Sequence, residues 1–153
     1  MIRPGVAAPI QRGIAPLAPT DPIDARALIF EAPEFGPQEV ALLRQSMTAD
    51  GLSTVRQAFG ELRDQVDDPN PPPKKLVVAG VVAYLLGQQH LALKYLSGAS
   101  GAGIADYYRG MVLLGQQQYT EAAQAFEEAG QHGYDPIQCR LSKAGAIRLS
   151  GKI

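Results

Sequence analysis

Gly110-Met-Val-Leu-Leu-Gly-Gln-Gln-Gln-Tyr119-Thr-Glu-Ala122-Ala-Gln-Ala-Phe126-Glu-Glu-Ala129 is the stretch that decides the fold, because an earlier copy of its pattern begins at Gly80. Gly80, Gln88, Ala92 and Ala99 recur as Gly110, Gln118, Ala122 and Ala129, and Leu96 and Phe126 hold the same bulky slot. Within each copy the step from alanine to large apolar residue to alanine is four and then three, which puts all three on one helix face. Small residues on such a face let a second helix approach closely. A shorter echo, Leu85-Leu-Gly-Gln-Gln89 against Leu113-Leu-Gly-Gln-Gln117, is offset by 28 and would misalign both pairs of alanines, so the register of 30 is preferred.

The chain divides at its prolines. Residues 1–36 form a Pro-rich arm. Positions 1–20 show neither helical nor alternating periodicity, and an extended or disordered segment is expected there. Asp21-Pro22 offers a cap and a first-turn proline for a short helix over 22–31. Residues 37–67 read as an N-terminal helical hairpin. Val40, Leu43 and Met47 share one spacing, and Leu52, Val55, Phe59, Leu62 and Val66 alternate steps of three and four, about a turn at Asp50-Gly51. The run Asp67-Asp-Pro-Asn-Pro-Pro-Pro73 is a linker (68–73) that cannot continue a helix. Residues 74–153 are then expected as helices over 74–86, 89–97, 103–117 and 120–130, with Thr120 capping and Gly130 ending the last of these. A final helix over 136–150 starts at Asp135-Pro136. Its mixed face, with Arg140, Lys143 and Arg148 among Leu141, Ala144 and Leu149, suits a cap on the open edge of the array.

Composition excludes several functions. With 14 basic and 15 acidic residues and a net charge of −1, no basic patch is available to concentrate nucleic acid. A single cysteine, Cys139, allows neither an internal disulfide nor a thiolate metal cluster. The longest apolar run, Leu76 to Leu86, falls well short of the stretch of about 20 residues that spans a membrane as a helix. The N-terminus carries prolines 4, 9, 16, 19 and 22 where a secretion signal would have an apolar core, so a cytoplasmic location is expected.

No motif points to catalysis. Gly98-Ala-Ser-Gly101-Ala-Gly103 followed by Asp106 lacks the preceding strand that a dinucleotide loop requires, and Gly145 to Lys152 misses a phosphate loop both in spacing and in the missing hydroxyl. His90 and His132 lack a carboxylate or cysteine at ligand spacing and read as surface histidines. Cys139 reads as a buried or half-buried small residue. The pairs Glu127-Glu128 and Asp67-Asp68 read as a helix surface and a linker. The chain is therefore expected to be neither an enzyme nor a metal or cofactor protein.

The second copy closely resembles a tetratricopeptide repeat, with that family's Gly110, Tyr119, Ala122, Phe126 and Ala129 in ungapped register. The first copy resembles it less, since Gln89 replaces the turn aromatic. Both depart from the family's period of about 34 residues through the short, glycine-rich link Ser97 to Gly103. The resemblance implies an all-α superhelix: a right-handed array of helical hairpins, here two repeats plus a capping helix. In that family the first helix of each pair lines a concave groove. Those positions correspond here to Lys74, Val77, Val81, Tyr84, Ile104, Tyr107, Met111 and Leu114. Grooves that hold acidic C-terminal peptides use a clamp of Lys, Asn and Arg, of which only Lys74 is present. The expected partner is instead a protein or peptide with an apolar segment, bound without catalysis by a scaffold or adaptor. Alternatives are a secretion-type chaperone or a self-assembling homo-oligomer, with the N-terminal arm available for self-association.

Overall fold

The computed structural model describes residues 23–48 and 50–151, so the arm expected over 1–20 lies outside the described residues. Among the described residues the chain is all-helical, without strands. Its helices are α1 (Ala25–Phe30), α2 (Pro37–Ser46), α3 (Gly51–Val66), α4 (Pro73–Leu85), α5 (Gln89–Gly98), α6 (Gly103–Gly115), α7 (Tyr119–Gln131) and α8 (Pro136–Ser150).

Local chemistry sets the helix starts. Prolines open α2, α4 and α8, where the missing N–H costs nothing. The carboxylate of Asp135 accepts from Ile137 N at 3.0 Å and Gln138 N at 3.2 Å at the head of α8. The first helix starts later than Asp21-Pro22 predicts, because Asp24 takes the capping role and accepts from Ala27 N at 3.0 Å. α7 begins at Tyr119 and not Thr120, and it continues through Gly130 to Gln131. The chain turns instead at Gly133, whose φ of 94° suits glycine.

The offset of 30 is reproduced bond for bond in the two inter-helix turns. Gly87 N bonds Tyr84 O at 3.0 Å and Gln88 N bonds Ala83 O at 2.9 Å; Gln117 N bonds Leu114 O at 3.0 Å and Gln118 N bonds Leu113 O at 2.9 Å. The left-handed residue is Gly87 (φ 80°) in the first turn and Gln117 (φ 65°) in the second. An offset of 28 would have matched Gly87 to Gly115, which is still helical. Gln117 is exposed and has a Cβ that this conformation disfavours. Gln117→Gly is therefore expected to raise stability by about 0.5–1 kcal/mol. A thermal melt checks this, and an unchanged or lowered midpoint would show that the glutamine side chain offsets the strain.

The same register organises the core. A Cβ on Gly80 would lie 2.5 Å from Leu96 Cδ2, and one on Gly110 would lie 2.6 Å from Phe126 Cε1. Each glycine is thus the recess into which the bulky residue of the following helix fits. Ala92, Leu96, Ala122, Phe126 and Ala129 are all fully buried. α4 packs on α5, α6 on α7 and α7 on α8, while α5 and α4 both touch α6. α4 is the central element, with every residue from Val77 to Ala83 buried.

The N-terminal helices join this array at α4. α1 packs on both α2 and α3, and α3 packs on α4. Lys74 Nζ donates to Ala32 O at 2.9 Å and Pro33 O at 2.7 Å, tying the α1–α2 loop to the head of α4.

Candidate functional site

The eight positions transferred from the repeat register fall on α4 and α6, and packing divides them. Val77, Val81 and Tyr107 are buried in the core. Tyr84, Ile104, Met111 and Leu114 are half-buried and rest against that core, and Lys74 is exposed with its ammonium held by the loop carbonyls. Tyr107 therefore cannot serve as the open groove contact expected of it. Its ring stacks on Tyr134 at 4.5 Å and meets Phe126 at 5.4 Å and Tyr108 at 5.3 Å, while its hydroxyl lies 3.0 Å from Gln138 Nε2 and 3.2 Å from Ser142 Oγ. α8 and the loop before it cover the position. The resemblance supplied a register for α6 but not how closely this last helix sits on it.

Tyr84 extends the aromatic row by meeting Tyr108 at 5.4 Å, so rings run from Tyr84 through Tyr108 and Tyr107 to Tyr134. Burial pushes the phenols of Tyr84, Tyr108 and Tyr134 above the ordinary tyrosine range. The charge of Arg44 on α2 acts in the opposite direction on Tyr84 and Tyr108 but does not outweigh burial. Nothing in the repeat register points to Arg44, because it lies on a helix outside the repeats.

A second cluster has no signature in the repeat pattern. Asp106 is fully buried, and its carboxylate lies 2.6 Å from His132 Nδ1 and 3.3 Å from Arg109 Nη2, with Gly101 N at 3.5 Å. Arg109 also reaches Glu128 at 2.7 Å, and this guanidinium, followed by Gln124, holds the Glu128 carboxyl below its usual range. His132 is partly on the surface, as expected, but it does have a carboxylate partner. Asp106 and His132 lie 26 residues apart, so no local spacing in the sequence pairs them. The cluster ties the end of α7 to the start of α6. Asp106→Ala is expected to cost about 1–3 kcal/mol, since it removes a fully buried carboxylate that bridges His132 and Arg109 and leaves Arg109 with Glu128 alone. Asp106→Asn should cost less. Urea midpoints check both, and an unchanged midpoint for the alanine variant would show that the cluster contributes nothing to the fold.

The remaining chemical groups are quiet. Cys139 is a buried free thiol, and burial followed by the charge of Asp135 pushes its pKa up, which disfavours the reactive thiolate. His90 is exposed in the first turn of α5. Among the described residues no group of three His, Cys, Asp or Glu side chains is placed to hold a metal ion, and no helix is long and apolar enough to cross a membrane. Compared with family models, curated proteins and solved structures, the chain has no match.

Proposed function

We propose that this chain is a non-catalytic, cytoplasmic protein-interaction scaffold built from two tetratricopeptide-like helix pairs, and that it binds a hydrophobic peptide or helix along α4 and α6. The observation that carries this is the repeated turn and recess, Gly80 against Leu96 and Gly110 against Phe126, which gives the two helix pairs the same internal packing. Ile104, Met111 and Leu114 follow one another at steps of seven and three, so they share one face of α6 and remain half-open. Met111 adapts to different partners and Tyr84 offers area at small entropy loss. With Val77, Val81 and Tyr107 committed to the core, the recognition surface is narrower than the eight positions of the register. Several hundred Å² at about 25 cal/mol per Å², less the cost of association, corresponds to micromolar binding.

Titration of the full chain with fluorescent amphipathic peptides tests this. Met111→Glu should weaken binding about ten-fold or more without loss of helical circular dichroism, because a carboxylate would be buried against an apolar ligand. Retained affinity in that variant would place the interface elsewhere.

A further inference from the structure

Ile137, Leu141 and Leu149 on α8 are 62%, 64% and 60% exposed, an unusual concentration of large aliphatic side chains in solvent on one helix. α8 turns Cys139 and Ala146 inward against the rest of the chain. The spacing of Ile137, Leu141, Ala144 and Arg148 puts those four on the opposite face. The mixed face that suggested a cap is therefore divided. Lys143 is joined to Glu127, while Arg140 and Arg148 have no ion-pair partner among the described residues. From Pro136 to Ser150 the helix contains no acidic residue. The outer face is apolar and cationic, whereas the terminal element of a stacked array is normally polar outside.

The complementary surface lies at the other end of the same chain. α1, the following loop and α2 enclose a groove of about 480 Å³ lined by Ile23, Leu28 and Leu42 with Asp24, Glu31 and Glu39. Arg26, the basic residue of α1, is already engaged by Glu61 through both carboxylate oxygens. The carboxylate of Glu31 makes no hydrogen bond or salt bridge among the described residues, and those of Asp24 and Glu39 each keep an oxygen beyond their cap contacts. The groove is apolar and acidic.

We propose that the outer face of α8 docks into the α1–α2 groove of a second copy, head to tail. Ile137 and Leu141 would cover Leu28 and Leu42, with Arg140 and Arg148 meeting the groove carboxylates. Pairing α8 with α8 is disfavoured, because it brings four arginines together with no acid on either helix to offset them. A head-to-tail contact leaves a free groove at one end and a free α8 at the other, so it continues into open assemblies unless its geometry closes a ring. No residue of the α4–α6 face takes part, so this contact stands or falls separately from peptide binding.

Light scattering and sedimentation of the full chain between about 1 μM and 1 mM test the proposal. The mass should rise with concentration at low salt and fall back as salt is raised to about 0.5 M. Leu141→Glu and, separately, Glu31→Lys should each raise the concentration for half-association at least ten-fold while circular dichroism stays native, since both side chains are exposed. Mixing Arg140→Glu/Arg148→Glu with Glu31→Lys should restore a heterotypic dimer. A wild-type chain that stays monomeric over the whole range overturns the proposal. So does association lost in Leu141→Glu but intact in Glu31→Lys, which would show a different acceptor. Hydrogen-exchange protection of α8 that does not change with concentration also overturns it.

Discussion

Phe126→Ala is expected to lower stability by about 3–5 kcal/mol, a large part of the roughly 5–15 kcal/mol that holds a domain together. The ring is fully buried, fills the recess left by Gly110 and lies 5.4 Å from Tyr107. α6 and α7 already pack closely, so the neighbouring backbone has little room to collapse into the space. The double variant is more informative than the single one. Gly110→Ala alone drives its methyl into the ring and should cost about 1–3 kcal/mol. In the Phe126→Ala background the same methyl enters the void and should be neutral or stabilising. Chemical denaturation of the four proteins gives the coupling directly. Strictly additive losses would mean that the two residues do not meet, and the repeat register would fall with them.

Tyr107→Ala is expected to cost about 3 kcal/mol or more, because it removes the ring at the crossing of α6, α7 and α8. Tyr107→Phe should cost only about 1 kcal/mol, for the hydroxyl shared by Gln138 and Ser142. Urea midpoints for the two variants separate ring from hydroxyl. An alanine variant within about 0.5 kcal/mol of the parent would instead place the ring on an open surface. That result would return Tyr107 to the interaction face on which the family register put it.

The helices of the repeats were legible because their periodicity is local: glycine, alanine and a bulky residue recur at fixed steps, and a close helix pair needs nothing more. Boundaries were less so. Gly130 reads as a terminator in isolation, yet α7 continues through it, with Gly130 close to Cys139 of α8 and the turn passed to Gly133. The candidate site was the least legible part. Tyr107 and Met111 occupy equivalent faces of one helix, and only the placement of α8, fixed by Tyr134, Gln138 and Ser142, separates the buried one from the half-open one. The Asp106–His132 pair was hidden for a related reason, since it joins two ends brought together by the packing of α6 on α7. Tertiary contacts of this kind leave no period to find.

The contacts between helices are dominated by neighbours in sequence or next neighbours: α1 with α2 and α3, α3 with α4, α4 with α5 and α6, α5 with α6, then α6 with α7 and α7 with α8. Among the described residues no extensive helix contact links one end of the chain to the other. Loop closures on the way to this structure are short, so folding should be fast and able to begin at either helix pair. The same wiring makes the molecule mechanically serial. Pulled from its two ends, it should yield one helix pair after another instead of breaking as a single body.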